Sequence, residues 1–428
     1  MWFCSQIGAR EHYAVPRALL RNGALAWVFT DTWIRPCNPL GLLKRQMRER
    51  YHAELEAATV ISSNVSLLAF EARARAKRLK AWSLILARNE WFQRQALRAL
   101  EKFESKKLGL EIRGVRSGQK TTANMAGTTG ATDNVFSDSS PILFAYSYAA
   151  RDLFRWAKDR GWLTVLGQID AGPEMRRIVQ HLEQCHPEYQ SQTDSPPGEY
   201  WIKWREECAL ADRIVVNSEW SLKALEMEGI AAEKIRIVPL AYAPPLESTN
   251  FQRQYPQAFS AQRPMQVLFL GQVNLAKGLV PLLEAAEILK DQPVEFQIVG
   301  PVQVVVPEHW RHHPKIRWLG PVPRGTVAEH YRAADVFLFP TFSDGFGLTQ
   351  LEAQAWQLPI VASRFCGDVV KDGVNGLQLS GVSAADIARA LRKLLASPEK
   401  LSAMARASNV DTQFSLAGIA TRFESVLD

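Results

Sequence analysis

Cysteine is scarce in this chain of 428 residues: Cys4, Cys37, Cys185, Cys208 and Cys366 are odd in number, scattered, and show no C-x-x-C spacing. That pattern argues against a disulfide framework and against a structural zinc, and it makes a reducing cytoplasm the default compartment. Long apolar runs are missing too. No stretch approaches the roughly 20 residues needed to cross a bilayer, and no basic segment precedes an extended apolar core at the amino terminus, so neither a spanning helix nor an export signal is expected. No aromatic and glycine pattern of an RNA-binding module occurs, and no nucleic-acid partner is expected. Charged residues are 22% of the chain and hydrophobic ones 47%, a balance that excludes wholesale disorder and supplies cores for two or three domains.

The net charge of +7 is uneven. Residues 1–240 hold 34 Lys and Arg against 27 Asp and Glu, whereas residues 241–428 hold 17 of each. Within the first half, residues 42–107 carry 15 basic and 7 acidic side chains. Basic positions such as Arg73, Arg75, Lys77 and Arg78 alternate with Leu67, Phe70, Trp82, Trp91 and Phe92 in a helical pattern. Two readings stand: long surface helices with one core face and one solvated basic face, or a peripheral contact with anionic membrane, at its cytoplasmic face.

The rest of the chain alternates strand and helix patterns. Trp2–Ser5 reads as a strand, followed by a turn containing Gly8, a helix through Ala14, Ala18 and Leu19, and a second strand Leu25–Thr30. This order begins an open parallel sheet with helical crossovers, in which Gly8 lets the backbone approach a ligand at the carboxyl edge. Residues 111–140, rich in Gly, Ser, Thr, Asn and Asp, read as a long loop. The alternation resumes at Ile142–Ala145 and continues to a strand at Ile235–Val238, with Ser218 as the N-cap of a helix. Asp170, beyond the strand Leu163–Leu166, is open to two roles, an acceptor-side group at the sheet edge or a turn former before Gly172 and Pro173. A proline-punctuated linker, 241–264, separates the 1–240 domain from a second unit, 265–411, and the segment 412–428 is amphipathic enough to pack back on the first domain. The fold class expected is α/β, with two doubly wound parallel sheets facing a cleft.

The second unit holds the chemistry. After a strand ending at Phe339 comes Pro340-Thr341-Phe342-Ser343-Asp344-Gly345-Phe346-Gly347-Leu348, then a helix carrying Glu352. A glycine-containing turn ahead of a helix offers unpaired amides to a phosphate, and two carboxylates beside it can hold hydroxyls. In the same sheet, the strand ending at Leu270 runs into Gly271-Gln272-Val273-Asn274-Leu275-Ala276-Lys277-Gly278, where a lysine can meet a diphosphate. On its buried stripe the helix places Leu348, Leu351, Ala355 and Leu358, with Thr349, Glu352 and Trp356 on a neighbouring face.

These segments resemble the retaining, nucleotide-sugar-dependent glycosyltransferases of the GT-B fold, glycosyltransferase family 4. The family's two-acid motif is similar to Asp344 through Glu352, and its later turns resemble Leu358-Pro359-Ile360-Val361-Ala362-Ser363 and Asp372-Gly373-Val374-Asn375-Gly376. The resemblance covers 265–410 and is fainter at Gly8-Ala9-Arg10-Glu11-His12. It implies a nucleoside-diphosphate sugar as donor substrate, a hydroxyl acceptor chosen by the first domain, and no metal or further cofactor. Glu352 would hold the ribose, Asp344 the donor sugar, the amides of Gly345, Phe346, Gly347 and Leu348 the sugar and diphosphate, and Lys277 the leaving phosphate. Gly271, Gln272 and Gly8 would line the donor, and Asp170 the acceptor. Gln272 stands where the family has arginine, Asp344 where it has glutamate and Gln357 where it has glycine. A sugar transferase of the cell-envelope or exopolysaccharide kind is the main expectation. Alternatives are an epimerase- or phosphorylase-like enzyme on the same donor site, or a nucleotide-sugar-binding, membrane-associated protein with altered or lost catalysis.

Overall fold

The computed structural model describes residues 1–36, 50–117, 140–191 and 195–428, with backbone alone for 106–117. Thirteen strands are described, forming a seven-stranded sheet ordered β3-β2-β1-β4-β5-β6-β7 and a six-stranded sheet ordered β10-β9-β8-β11-β12-β13. The strands are β1 Trp2–Gln6, β2 Leu25–Thr30, β3 Val60–Ser62, β4 Ile142–Tyr146, β5 Leu163–Gly167, β6 Arg213–Val216 and β7 Ile235–Ile237 in the first sheet. The second holds β8 Met265–Leu270, β9 Val294–Val299, β10 Ile316–Gly320, β11 Val336–Phe339, β12 Ile360–Ala362 and β13 Gly376–Gln378. The described pairings between named strands are parallel. Parallel sheets covered on both faces need near-continuous apolar strands, and β1, β4 and β11 are buried at every position.

By compactness the chain divides into one unit of residues 1–167 and 197–212 and a second of residues 168–196 and 213–428. In the first unit, the helix Ala81–Ser117 buries Trp91, Phe92, Ala96 and Leu100 while Arg94, Arg98 and Lys102 stay exposed. Phe92 lies against Phe29 with ring centres 5.3 Å apart. Over these residues the chain is thus a core helix with a basic outer face. The same helix corrects the expected loop, because 111–117 continue it. The expectations for 42–49 and 118–139 fall outside the described residues. Among the described residues, no helix is long and apolar enough to cross a membrane.

In the second unit, the helices Leu279–Ile288 and Ala384–Leu395 bury Leu282, Leu283, Ile387 and Leu391 in one cluster with Val267, Phe296 and Leu338 of the sheet. The last helix, Leu416–Glu424, buries Ile419, Ala420 and Phe423. Its surroundings are tied down by Arg213, which donates to the carbonyl of Leu427 at 3.0 Å, and by Arg236, which donates to that of Asp428 at 2.8 Å.

Candidate functional site

Strands β8 and β11 are neighbours, so the loops leaving their carboxyl ends meet. Phe342 N–H donates to the carbonyl of Ala276 at 2.8 Å, joining the two loops by backbone. Asn274 caps the turn that carries the lysine, its Oδ1 accepting from Lys277 N–H at 3.1 Å. Gly278 then takes φ +76°, a left-handed conformation suited to glycine. An added Cβ there would collide with the carbonyl oxygen of Pro340. Fixed this way, Lys277 Nζ forms an ion pair with Asp344 Oδ2 and lies 3.4 Å from the carbonyl of Ser343. The two side chains are 16% and 21% exposed, so the pair is partly desolvated yet open to a ligand.

Asp344 is held at three points. Its N–H donates to the carbonyl of Phe365 at 2.9 Å, Oδ2 faces Lys277, and Oδ1 accepts from Phe346 N–H at 3.0 Å. The Phe346 amide is therefore engaged inside the loop, a refinement of the expectation that all four amides of Gly345 through Leu348 face a ligand. Phe346 itself is buried, and Gly347 turns the chain at φ +81°.

Glu352 sits in the helix Thr349–Ala355 and is half-buried. Its Oε2 accepts a 2.8 Å hydrogen bond from the hydroxyl of Tyr331, which is buried on the helix Val327–Ala333. Burial and the neighbouring Glu352 charge hold that phenol well above its ordinary pKa. Tyr242 is likewise pushed up to about 12 by burial and by Glu352, with Arg324 opposing. Sequence reasoning missed Tyr331 and Tyr242, since nothing in their local spacing ties them to the acid. Trp356, expected beside Glu352, is a correction: it is 3% exposed in the cluster with Phe337 and Leu358, because an indole at a helix end gains more from burial than from water.

The other face of the loop packs on Ser218 and Trp220. Ser218 Oγ donates to the carbonyl of Gly345 at 2.8 Å and Trp220 Nε1 donates to Ser343 Oγ at 3.0 Å. A Cβ on Gly345 would fall on the carbonyl oxygen of Ile169 and 3.3 Å from the Cα of Asp170. The backbone of Asp170 is thus beside the candidate loop, and its carboxylate accepts from Gln168 Nε2 and from Gly172 N–H, each at 2.9 Å. Gln272 is exposed at the end of β8 and Gly271 is half-buried.

Gly8 belongs to the first unit. Its N–H donates at 3.0 Å to Asp31 Oδ1, a fully buried carboxylate that also meets Arg88 Nη2 at 2.6 Å and Arg50 Nη1 at 3.4 Å. Glu11, His12 and Tyr13 follow with φ of 51°, 50° and 59°. Burial raises the Glu11 carboxyl, against Arg10 and against a 3.1 Å hydrogen bond from Tyr146.

Residues 264–397 match the family model described as glycosyl transferases group 1. That segment is the part of the chain that matches the family. The chain is 35% identical over 221 residues to D-inositol 3-phosphate glycosyltransferase of Geodermatophilus obscurus, covering 46% of this chain and 48% of the relative. The corresponding protein of Acidothermus cellulolyticus is 33% identical over 224 residues, covering 46% and 49%. The chain thus spans about half the length of the curated relatives it matches. Solved structures share the GT-B fold over the whole length. The Anabaena protein HepE, solved in complex with UDP, is 13% identical with a TM-score of 0.57, covering 100% of this chain and 99% of its own. Sucrose-phosphate synthase from Thermosynechococcus elongatus is 16% identical with a TM-score of 0.57, covering 99% and 98%.

Proposed function

We propose that this group 1 glycosyltransferase moves a sugar from a nucleoside-diphosphate sugar to a hydroxyl acceptor with retention at the anomeric carbon, in the manner of family 4. The observation that carries the reading is the Lys277–Asp344 pair, set at the meeting point of the two loops. Lys277 is held where a diphosphate would arrive, and Asp344 stands ready to exchange its lysine contact for sugar hydroxyls. In the reaction the acceptor oxygen bonds to the anomeric carbon as the bond to the diphosphate oxygen breaks, and the acceptor proton passes to that leaving oxygen. Negative charge grows on the diphosphate, so an ammonium already in place favours the transition state over the ground state. This role for Lys277 makes a metal unnecessary. Glu352, oriented by Tyr331, takes the ribose hydroxyls.

The protein is tested with a panel of nucleotide sugars, first by thermal shift, since a donor that binds only the folded state raises the melting temperature. The responding donor is then assayed with and without acceptors and with and without a chelator. Transfer that survives chelation and falls steeply, by about 10²-fold or more, in Lys277→Ala and Glu352→Ala is expected. Full activity in both variants would overturn the reading, and donor breakdown without any transfer product would select hydrolysis or phosphorolysis instead.

A further inference from the structure

One arginine of the second unit, outside the candidate loops, is wholly engaged with backbone. Arg253 is half-buried, and its guanidinium gives all five N–H groups to main-chain carbonyls. Nε donates to Gln357 at 3.0 Å, and Nη1 donates to Arg332 at 3.3 Å and to Ala334. Nη2 donates to Tyr331 at 2.7 Å and to Trp356 at 2.9 Å. These carbonyls lie at the ends of two helices, Val327–Ala333 and Thr349–Ala355, where the last turn has no partner within the helix. A cation also suits the negative end of both helix dipoles.

The two helices so joined are the ones that meet at Glu352. A single atom, Nη2, ties the main chain of Tyr331 to that of Trp356, which follows Glu352 by one turn. The Tyr331 hydroxyl in turn reaches Glu352 Oε2 at 2.8 Å. The helices are therefore linked twice, once through carbonyls at their carboxyl ends and once through the side chains of the candidate ribose site. Gln357 supplies a second observation. It holds φ +50°, a conformation that favours glycine, and its Oε1 accepts from Arg253 N–H at 3.2 Å. A side chain kept at a strained position thus serves to seat the arginine.

We infer that Arg253 is a positioning residue for the nucleotide: it fixes the two helices against each other and so aims the Glu352 carboxylate at the ribose hydroxyls. This rests on the reading of Glu352 as the group that takes those hydroxyls. Lysine cannot replace it, because an ammonium has three N–H groups and no planar fork to span five carbonyls. Loosening the joint lets Glu352 swing, whereas Lys277, held by Asn274 and Asp344, keeps its place. Recognition of the ribose is then lost selectively.

The test is calorimetric titration of the full chain with the ribonucleoside diphosphates of the four common bases and with their 2′,3′-dideoxy counterparts. For the base that binds best, the wild-type chain is expected to prefer the ribo form by about 10²-fold or more, the value of two hydrogen bonds to a charged group. Arg253→Lys is expected to cut that preference about tenfold, through weaker binding of the ribo form alone. Should that variant lose its melting transition, Gln357→Gly takes its place, since it relieves the strain and removes the acceptor for Arg253 N–H; there the preference is expected to fall about threefold with the melting temperature not lowered. Glu352→Ala separates this inference from the reading beneath it. No nucleotide binding or no ribo preference in the wild-type chain, or a preference undiminished in Glu352→Ala, overturns the ribose reading and the positioning role with it. A preference lost in Glu352→Ala yet intact in the folded Arg253→Lys or its substitute overturns the positioning role alone, as does equal weakening of both nucleotide forms.

Discussion

The hydroxyl of Ser218 donates at 2.8 Å to the carbonyl of Gly345 while accepting at 3.2 Å from the N–H of Ser221. One side chain thereby caps the helix Glu219–Met227 and fixes the loop that carries Asp344. Ser218→Ala is expected to cost about 1 kcal/mol in urea unfolding, the usual value of an N-cap. Donor KM should rise by several-fold with a smaller change in kcat, since the loop is loosened and no reacting group is lost. Ser221 Oγ, 3.3 Å from the same carbonyl, limits the damage.

Lys277→Ala and Asp344→Asn separate the two halves of the ion pair. Losing the cation removes stabilisation of the leaving diphosphate, and kcat/KM is expected to fall about 10²- to 10³-fold, as when one preorganised donor is removed. Asp344→Asn keeps Lys277 and should cost less overall while changing the preference among donor sugars. Steady-state kinetics on two donors differing at one hydroxyl checks both.

Tyr331→Phe deletes the hydroxyl that orients Glu352 and leaves the aromatic packing intact. The expected stability loss is about 0.5–1.5 kcal/mol. The kinetic effect should fall on donor KM, by several-fold, because Glu352 remains present and is merely less well aimed. A large fall in kcat with KM unchanged would assign Tyr331 to the chemical step instead.

A pH signature comes from Glu207, 1% exposed, whose carboxylate accepts from the N–H groups of Tyr148, Ala150 and Arg151 at 2.6, 2.8 and 3.1 Å. Burial pushes its pKa up to about 7, outweighing those three donors. The folded state thus holds the proton more tightly than the unfolded chain. The stabilisation is complete below the unfolded value near 4.5, is lost as pH rises toward 7, and is flat above it. The span is on the order of 3 kcal/mol. Glu207→Gln, neutral throughout, is expected to remove this slope and to lower stability at acid pH by about 1–3 kcal/mol, because its amide NH₂ would face the Tyr148 N–H. Urea titrations of both proteins from pH 4 to 8 read the difference.

Gly347→Ala tests the loop backbone. The residue holds φ +81°, and a Cβ would come 2.5 Å from the Phe339 ring. Strain and overlap together are expected to cost about 1–3 kcal/mol and to displace the Asp344 loop. Thermal unfolding with and without donor should show a lower melting temperature and a smaller ligand-induced rise.

The sheets were legible where burial is written locally. The strand Leu25–Thr30 has the expected bounds, and the strands ending at Leu270 and Phe339 stop where expected, because each is an apolar run before a breaker. Val60–Ser62 escaped notice: it is a three-residue strand, half-buried throughout, with too few apolar positions for a period. Gly376–Gln378 hid behind its turn, since its strand character comes from pairing with β12. The helix Pro173–Cys185 was hidden by its own first residue, which read as a breaker and is in fact the first helical position. At the candidate site, Asp344 and Lys277 stood out as residue types in glycine-bearing loops, and Glu352 as the acid on the helix that follows. Tyr331, Ser218 and Trp220 did not, because their meaning lies in contacts 21 to 127 residues away along the chain.

Three left-handed residues in a row, Glu11 to Tyr13, make the loop after β1 costly to hold, at about 1 kcal/mol or more for each. Its hold comes from a few side-chain bonds, among them Tyr146 to Glu11 and the Tyr13 hydroxyl to the Arg50 carbonyl at 2.9 Å. Such a segment opens at a lower free energy than the buried strand before it. In hydrogen exchange, the Glu11–Tyr13 amides would therefore report a fast local opening on a protein whose β1 amides wait for global unfolding.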